Sequence, residues 1–224
     1  MLKTKKNRII MLMIVCIFFT GCATQLGIGS GYSMYPTFEE YDVFLINKTK
    51  YIFSNPKRGD IVGAYETVDT ERVISKERYV RLIGTLYWDK EIRWHVRLSK
   101  RYNIKRVIGL PGETIEIINK QVYINGVKYT HGAEQFFDEE TYTPDFQYPE
   151  DYEYTFYLKT RDFMEPVTIP ENHNFILGDN RDWSRDSRHF GAVNKKDIIG
   201  NIPLIIGARK DGKWEKNRFW KKLK

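Results

Sequence analysis

The sequence predicts a mostly β protein with an inserted smaller subdomain and an N-terminal membrane anchor. Three observations lead to this prediction: short runs rich in β-branched and aromatic residues, one acidic and aromatic stretch that interrupts them, and an uncharged apolar segment near the start of the chain. The 224 residues, 42% hydrophobic and 15% aromatic, are sufficient for one well-buried domain. No long stretch has a convincing helical period.

The N-terminal segment has the composition of a membrane anchor. Basic residues within 1–8 precede an apolar run that starts at Ile9, and no charged residue occurs from there to Phe38. We expect residues 1–8 to form a cytoplasmic basic region and residues 9–27 to form a membrane anchor or a lipoprotein-type signal, with the rest of the chain outside. A buried core helix is the alternative interpretation.

A second feature of this segment concerns its two cysteines, the only ones in the chain. The sequence FTGC ends at Cys22 and resembles a lipoprotein cleavage site, at which Cys22 would become the lipidated N-terminus. Cys16 also lies in the apolar run, so the folded domain has no cysteine for a disulfide, a metal site or catalysis by a thiol. Both modes of attachment predict a membrane-bound, extracytoplasmic domain.

Strand patterns follow the anchor. The runs YDVFLINK, RGDIVGAY, IKRVIGL, NFILGDN and DIIGNIPLII each predict a strand. The run TIEIINKQVYINGVKY predicts a hairpin that turns at Asn119-Lys120, followed by an Asn-Gly turn at 125–126. We expect these strands to form one β domain in two parts, residues 28–133 and 169–208.

The predicted insertion occupies residues 134–168 between these two parts. Glu134 to Leu158 contain eight acidic residues, no basic residue and many Tyr and Phe. This composition predicts an inserted subdomain or lid, with an aromatic surface excursion as the alternative.

The net charge of +7 is carried by the two ends of the chain. The first eight residues contribute +4 and the basic C-terminal tail, residues 209–224, contributes +6, so the remainder is mildly acidic. Basic tails bind nucleic acid or anionic lipid, or are simply solvated. The anchor favours membrane lipids as the partner, and we expect no nucleic-acid binding.

Ser33 and Lys105 are the candidate reactive groups. Ser33 precedes a Pro-Thr turn in SGYSMYPTF, and a turn can present a hydroxyl beside free backbone N–H groups. A nucleophilic Ser needs a base, and the four His form no recognisable triad with a carboxylate. Lys105 lies among β-branched residues in NIKRVIGLPG, where burial would lower its pKa from about 10.4 and permit a neutral amine to act as base. Taken singly, a turn serine and a lysine that reaches solvent are the simpler interpretations.

The stretch GDNRDWSRDSRHFG is the third polar motif. Its three Asp residues do not have the spacing of a calcium loop, and its arginines can neutralise them. We therefore expect a self-compensated network that positions Ser184 and a neighbouring Lys, with no metal and no cofactor.

Four motifs follow the expected anchor in this order: SGYSMYPTF, RGDIV, KRVIGLPGE and GDNRDWSRDSRHFG. Together they resemble the type I signal peptidases, which are membrane-bound serine endopeptidases with a Ser/Lys dyad. The resemblance covers residues 31 to about 205 apart from the insertion and the region 64–102. It implies a signal-peptidase-like β catalytic domain, Ser33 as nucleophile and Lys105 as general base. One departure is Glu113, where most members have Asp.

The resemblance also implies roles for neighbouring residues. The backbone of Gly31 and the N–H of Ser33 would line the oxyanion hole, and Ser184 would orient the lysine. The expected structural ion pair is Asp186 with Arg188. The substrate would lie extended beside residues 31–38, and the residues assigned to substrate binding are Met34, Tyr35 and Pro36.

The function implied is removal of signal peptides from exported preproteins at sites with small side chains at the first and third positions before the cut. The implied location is the bacterial cytoplasmic membrane, with the catalytic domain outside. Two alternatives are a dedicated maturation peptidase for one substrate, such as a pilin subunit, and a non-catalytic membrane scaffold of the same fold. A self-cleaving repressor of the LexA type would need an N-terminal DNA-binding motif, whereas this chain has an apolar segment there.

Overall fold

The computed structural model describes residues 23–65, 79–83, 86–89, 94–97, 102–136, 160–210, 213–215 and 218–223. The basic region 1–8, most of the expected anchor, Cys22 and most of the expected insertion lie outside these residues. Within the described ranges, no helix has the length and apolar character needed to cross a membrane.

The described residues are mostly β, as predicted. The strands are β1 (Thr24–Ile28), β2 (Asp42–Asn47), β3 (Ile61–Tyr65), β4 (Tyr79–Ile83), β5 (Leu86–Asp89), β6 (Trp94–Arg97), β7 (Tyr102–Gly109), β8 (Thr114–Ile118), β9 (Gln121–Ile124), β10 (Val127–Tyr129), β11 (Met164–Thr168), β12 (His173–Leu177), β13 (Val193–Asn194), β14 (Ile198–Lys210), β15 (Lys213–Trp214) and β16 (Lys221–Lys222). The short helices are two 3-10 helices, Lys50–Ile52 and Lys195–Asp197, and the α-helix α1 (Ser187–Phe190).

The largest sheet has the strand order β1-β2-β14-β3-β7-β12-β13, and β15 and β16 also pair with β14. The long strand β14 therefore lies between β2 and β3, although it comes near the end of the chain. The strand β2 alternates buried and half-buried residues, as a strand covered on one face does, and its Phe44 and Ile46 enter the core. The five strands predicted from YDVFLINK, RGDIVGAY, IKRVIGL, NFILGDN and DIIGNIPLII are confirmed as β2, β3, β7, β12 and β14.

A second sheet has the order β10-β9-β8-β11. Its two tight turns confirm the hairpin prediction, since Asn119 and Lys120 have φ of 48° and 66°, and Asn125 and Gly126 have φ of 51° and 78°. Positive φ at both central residues gives a turn the twist that a two-residue hairpin needs. Apolar residues of β8 and β9 share a core with β7 and β12, which fixes this sheet against the larger one. A third, three-stranded sheet has the order β4-β5-β6.

Three boundaries differ from those expected. β1 pairs with β2 along its whole length, so the folded domain begins by Thr24 rather than at 28, and residues 24–27 belong to the sheet and not to an anchor. β11 pairs with β8, so the last residues of the range 134–168 belong to the second sheet. A pattern of polar and apolar residues does not reveal such pairing, because the partner strand is distant in sequence.

The C-terminal tail is the third boundary. β14 continues to Lys210, and β15 and β16 both pair back onto it. Arg218, between them, is only 6% exposed. The described part of the tail is therefore packed on the domain and is not simply a solvated basic end.

Candidate active site

The loop that carries Ser33 joins β1 to β2. Backbone hydrogen bonds close its base, from Gly29 N to Asp42 O at 2.7 Å and from Tyr41 N to Gly29 O at 3.0 Å. Within the loop, Phe38 N donates to Met34 O at 2.9 Å, and the side chains of Met34 and Phe38 are buried in the core. These two apolar side chains hold the loop on the domain and leave Ser33 half-buried at its surface.

Lys105 reaches Ser33 from β7. It pairs across the sheet with Val62 of β3, is only 2% exposed, and places its Nζ 2.9 Å from Ser33 Oγ. Nζ also donates to the carbonyl oxygen of Ile104 at 3.1 Å. The two candidate reactive residues, which are 72 positions apart in sequence, are thus in direct hydrogen-bonding contact.

A cavity of about 520 Å³ opens beside this pair. Ser33, Gly31 and Met34 line it, together with residues 102–104 at the start of β7. Tyr35 and Pro36, which were assigned to substrate binding, are exposed and are not among the residues that line the cavity. Their assignment to substrate binding stays a prediction.

The family model described as signal peptidase, peptidase S26, matches residues 2–206. The chain belongs to this family. Signal peptidase I V of Bacillus subtilis (strain 168) is 31% identical over 179 residues, which cover 77% of this chain and 79% of that relative. Signal peptidase I of Leptolyngbya laminosa is 32% identical over 168 residues, which cover 75% of this chain and 61% of that relative.

A solved structure gives a further match. The crystal structure of a signal peptidase I from Enterococcus faecalis V583 is 28% identical, with a TM-score of 0.38, and the match covers 66% of this chain and 97% of that chain.

In this signal peptidase family member, Gly178 lies between Ser33 and Ser184. A Cβ atom on Gly178 would stand 2.3 Å from the carbonyl oxygen of Ser33 and 2.2 Å from Ser184 Oγ, which leaves room only for hydrogen. Ser184 is completely buried, and a hydrogen bond from its hydroxyl is one of the causes that lower the pKa of Asp186. Asn180 N donates to Ser33 O at 3.2 Å. The polar motif that begins at Gly178 therefore packs directly against the nucleophile loop.

Asp186 and Arg188 form a buried, two-pronged ion pair, with Nε to Oδ1 at 2.8 Å and Nη2 to Oδ2 at 2.9 Å. The Asp186 carboxylate also accepts the N–H of Gly178 at 3.0 Å and caps α1. Burial alone would raise the pKa of Asp186, but the charge of Arg188 and these hydrogen bonds lower it to about 2. The pair lies behind Gly178 and does not line the cavity.

Two other acids of the motif are paired with residues outside it. Asp182 contacts Lys120 of the β8–β9 turn at 3.2 Å, and Asp179 contacts Arg106. Arg181, expected to neutralise an acid of the motif, donates instead to the carbonyl oxygen of Gly178 at 3.0 Å. Among the residues that the structure describes, no group of three or more His, Cys, Asp or Glu could hold a metal ion.

The Arg106–Asp179 pair is a feature that sequence reasoning missed. Arg106 follows Lys105 on β7, and its Nε and Nη2 each donate to Asp179 at 2.7 Å. Asp179 also accepts the hydroxyl of Thr37, in the Ser33 loop, at 2.5 Å. Burial lowers the pKa of the neighbouring His131, and the charge of Arg106 lowers it further. Strand alternation sends Arg106 to the face opposite Lys105, and this is the sequence signal from which a separate partner for Arg106 could have been expected.

Proposed function

We propose that this chain is a serine endopeptidase that removes signal peptides from exported preproteins, with Ser33 as nucleophile and Lys105 as general base. The observation that carries the proposal is the 2.9 Å contact between Lys105 Nζ and Ser33 Oγ. Burial of Lys105 supports the role of base, because loss of hydration disfavours an ammonium and favours the neutral amine that can accept a proton.

The proposed reaction begins when Lys105 Nζ takes the Ser33 hydroxyl proton and Oγ attacks the scissile carbonyl carbon. The carbonyl oxygen becomes an oxyanion, which accepts hydrogen bonds from the N–H of Ser33 and from the backbone of Gly31. The Lys105 ammonium then protonates the leaving amine, and the C–N bond breaks to give an acyl-enzyme and the mature protein. Water, deprotonated by Lys105, hydrolyses the ester and releases the signal peptide.

Ser184 is proposed to position Lys105 in this cycle. Its hydroxyl is buried beside Gly178, next to Ser33, and we expect its Oγ to accept a hydrogen bond from Nζ after the Ser33 proton has been transferred. Asp186 and Arg188 are proposed to keep Ser184 and Gly178 in place through the ion pair behind them.

The proposed substrate position is an extended segment between the Ser33 loop and β7. β12 pairs with β7 only from Arg106 onward, so residues 102–104 are paired on one side, with β3, among the described strands. A peptide can add to such a strand edge through backbone hydrogen bonds. Gly31 and Met34, which line the cavity with this edge, would then face the small side chains before the cut.

The proposed location is the outer face of the bacterial cytoplasmic membrane. Residues 9–22 would attach the protein either as a single-pass anchor or through lipid on Cys22, and the basic residues of the C-terminal segment would lie near anionic lipid. The mass of the purified protein distinguishes the two modes, because a lipoprotein begins at an acylated Cys22.

The decisive experiment measures cleavage of a precursor with an Ala-X-Ala site, in detergent, by the wild type, Ser33→Ala and Lys105→Met. We expect both variants to lose at least about 10³-fold in kcat. The matched controls are Ser54→Ala and Lys128→Met, remote residues whose variants should cleave at the wild-type rate. Wild-type rates for Lys105→Met would contradict the Ser/Lys mechanism. Cleavage of one precursor in a panel of exported proteins, and of no other, would identify a dedicated peptidase.

A further inference from the structure

We propose that Arg218 is a positioning residue for the active site, which clamps the base of the Ser33 loop through Asp42 and Glu39. The effect on catalysis rests on the proposed function. Arg218 lies outside residues 2–206, the part of the chain that matches the family model, so the clamp is carried by a segment that the match does not include.

The clamp uses all three guanidinium nitrogens. Arg218 Nε donates to Asp42 Oδ1 at 2.7 Å, Nη2 contacts Asp42 Oδ2, and Nη1 donates to Glu39 Oε1 at 2.6 Å. Asp42 is completely buried and Arg218 nearly so. The fork geometry of a guanidinium fits two oxygens of one carboxylate, which makes this contact more directional than a lysine contact would be.

Asp42 connects the clamp to both ends of the Ser33 loop. Its carboxylate accepts the N–H of Glu39 at 2.8 Å, and its carbonyl oxygen accepts the N–H of Gly29 at 2.7 Å. Gly29 and Glu39 both line the cavity beside Ser33. Arg218 therefore stabilises Gly29 and Glu39, the two positions at the ends of the loop that carries Ser33.

The position of Arg218 is itself fixed by the sheet. After β14 the chain turns back, with Arg218 N donating to Glu215 O at 3.3 Å, and β16 pairs Lys221 with Ile205. The rings of Trp214 and Phe219 pack with their centroids 5.6 Å apart. Three sets of contacts thus hold Arg218 against the loop base.

Without Arg218, the buried Asp42 carboxylate loses its guanidinium partner. We then expect the base of the Ser33 loop to become more mobile. Small displacements of a reacting group reduce the rate strongly, because attack requires aligned atoms at short distance. We expect Arg218→Met to lower kcat by about 10- to 100-fold with a smaller change in KM. Arg218→Lys should recover only part of the loss, because an ammonium cannot contact Asp42 and Glu39 in the same fork geometry.

The test compares wild type, Arg218→Met and the double variant Arg218→Met/Asp42→Asn. Each is measured for kcat and KM below its melting temperature, and for amide hydrogen exchange across residues 29–42 without substrate. The control is Arg58→Met, which removes another partly buried ion pair, with Glu113. It should keep kcat within about twofold and leave exchange in the loop unchanged.

The double variant separates positioning from simple stabilisation. Asp42→Asn removes the uncompensated buried charge, so we expect the melting temperature to recover while kcat stays low and loop exchange stays fast. Recovery of kcat in step with stability would overturn the proposal, as would wild-type kcat and wild-type exchange in Arg218→Met. The hydrogen-exchange measurement needs no substrate. It therefore tests whether Arg218 restrains the Ser33 loop even if the protein does not cleave the precursor.

Discussion

At the scale of single residues, the neighbours Lys105 and Arg106 connect β7 to two sides of the same loop. Lys105 contacts Ser33 directly, whereas Arg106 reaches Thr37 through Asp179. Because successive side chains of a strand point to opposite faces, two adjacent basic residues can contact the reactive serine and its supporting loop without contacting each other. The position of Ser33 is thus determined from both faces of the sheet.

Gly178→Ala is the sharpest test of this arrangement. The new Cβ would stand 2.3 Å from the carbonyl oxygen of Ser33, and the backbone must move to accept it. We expect a loss of about 1–3 kcal/mol in the free energy of unfolding. We also expect kcat to fall at least about tenfold, because Ser33 and Ser184 shift together. Chemical denaturation and cleavage assays measure the two effects.

The control for this variant is Gly63→Ala in β3. A Cβ on Gly63 would meet its nearest atom at 3.6 Å, an ordinary contact, so both activity and stability should remain near those of the wild type. Equal behaviour of the two variants would contradict the close packing inferred at Gly178.

Sequence reasoning indicated Ser33, Lys105 and Ser184 because four ordered motifs together resemble the type I signal peptidases, and the structure brings Lys105 into contact with Ser33. It did not find Arg218, since a basic residue in a basic tail has no local feature that distinguishes it from a solvated one. Tyr35 and Pro36 are exposed, and their assignment to substrate binding stays a prediction.

At the scale of elements, the segment from Gly178 to α1 depends on one carboxylate. Asp186 caps α1, accepts the N–H of Gly178 and pairs with Arg188. A single buried group therefore sets the end of β12, the start of the helix and the distance between them.

The pKa of Asp186, about 2, gives this element a defined pH dependence. The folded-state pKa lies below the ordinary value of 3.8, so the stabilisation is complete above about pH 4 and is lost as the pH falls towards 2. At roughly 1.4 kcal/mol for each pKa unit, the loss is about 2 kcal/mol. Urea unfolding between pH 5 and 2 measures it, and the dependence should be shallower in Asp186→Asn. An identical slope in the variant would show that other groups are responsible.

The hairpins were predictable because their turns contain residues that tolerate positive φ, such as Asn119 and Gly126. The pairing of β11 with β8 was not predictable. The sequence between these strands is acidic and aromatic, and no pattern in it indicates that the chain returns to the same sheet. Local turn chemistry specifies neighbouring strands, whereas pairing between distant strands depends on the shared core of Ile115 and Ile169.

At the scale of the whole molecule, β1 is the first strand of the described domain. We expect a variant without residues 2–22 to retain the fold, because β1 begins at Thr24 and pairs fully with β2. Its melting temperature should lie within a few degrees of the full-length protein in detergent, and its cleavage of a soluble peptide should still require Ser33. Fractionation should move it from the membrane to the soluble fraction. A variant that unfolds, or that remains in the membrane fraction, would contradict the division at residue 23.

The order of the strands has a consequence for biosynthesis. β14 stands between β2, which follows the Ser33 loop, and β3, which pairs with the strand of Lys105. A growing chain therefore lacks the strand that pairs with both β2 and β3 until the segment that ends at Lys210 has been made. We therefore expect the contact between Ser33 and Lys105 to form late, after nearly the whole polypeptide has been made.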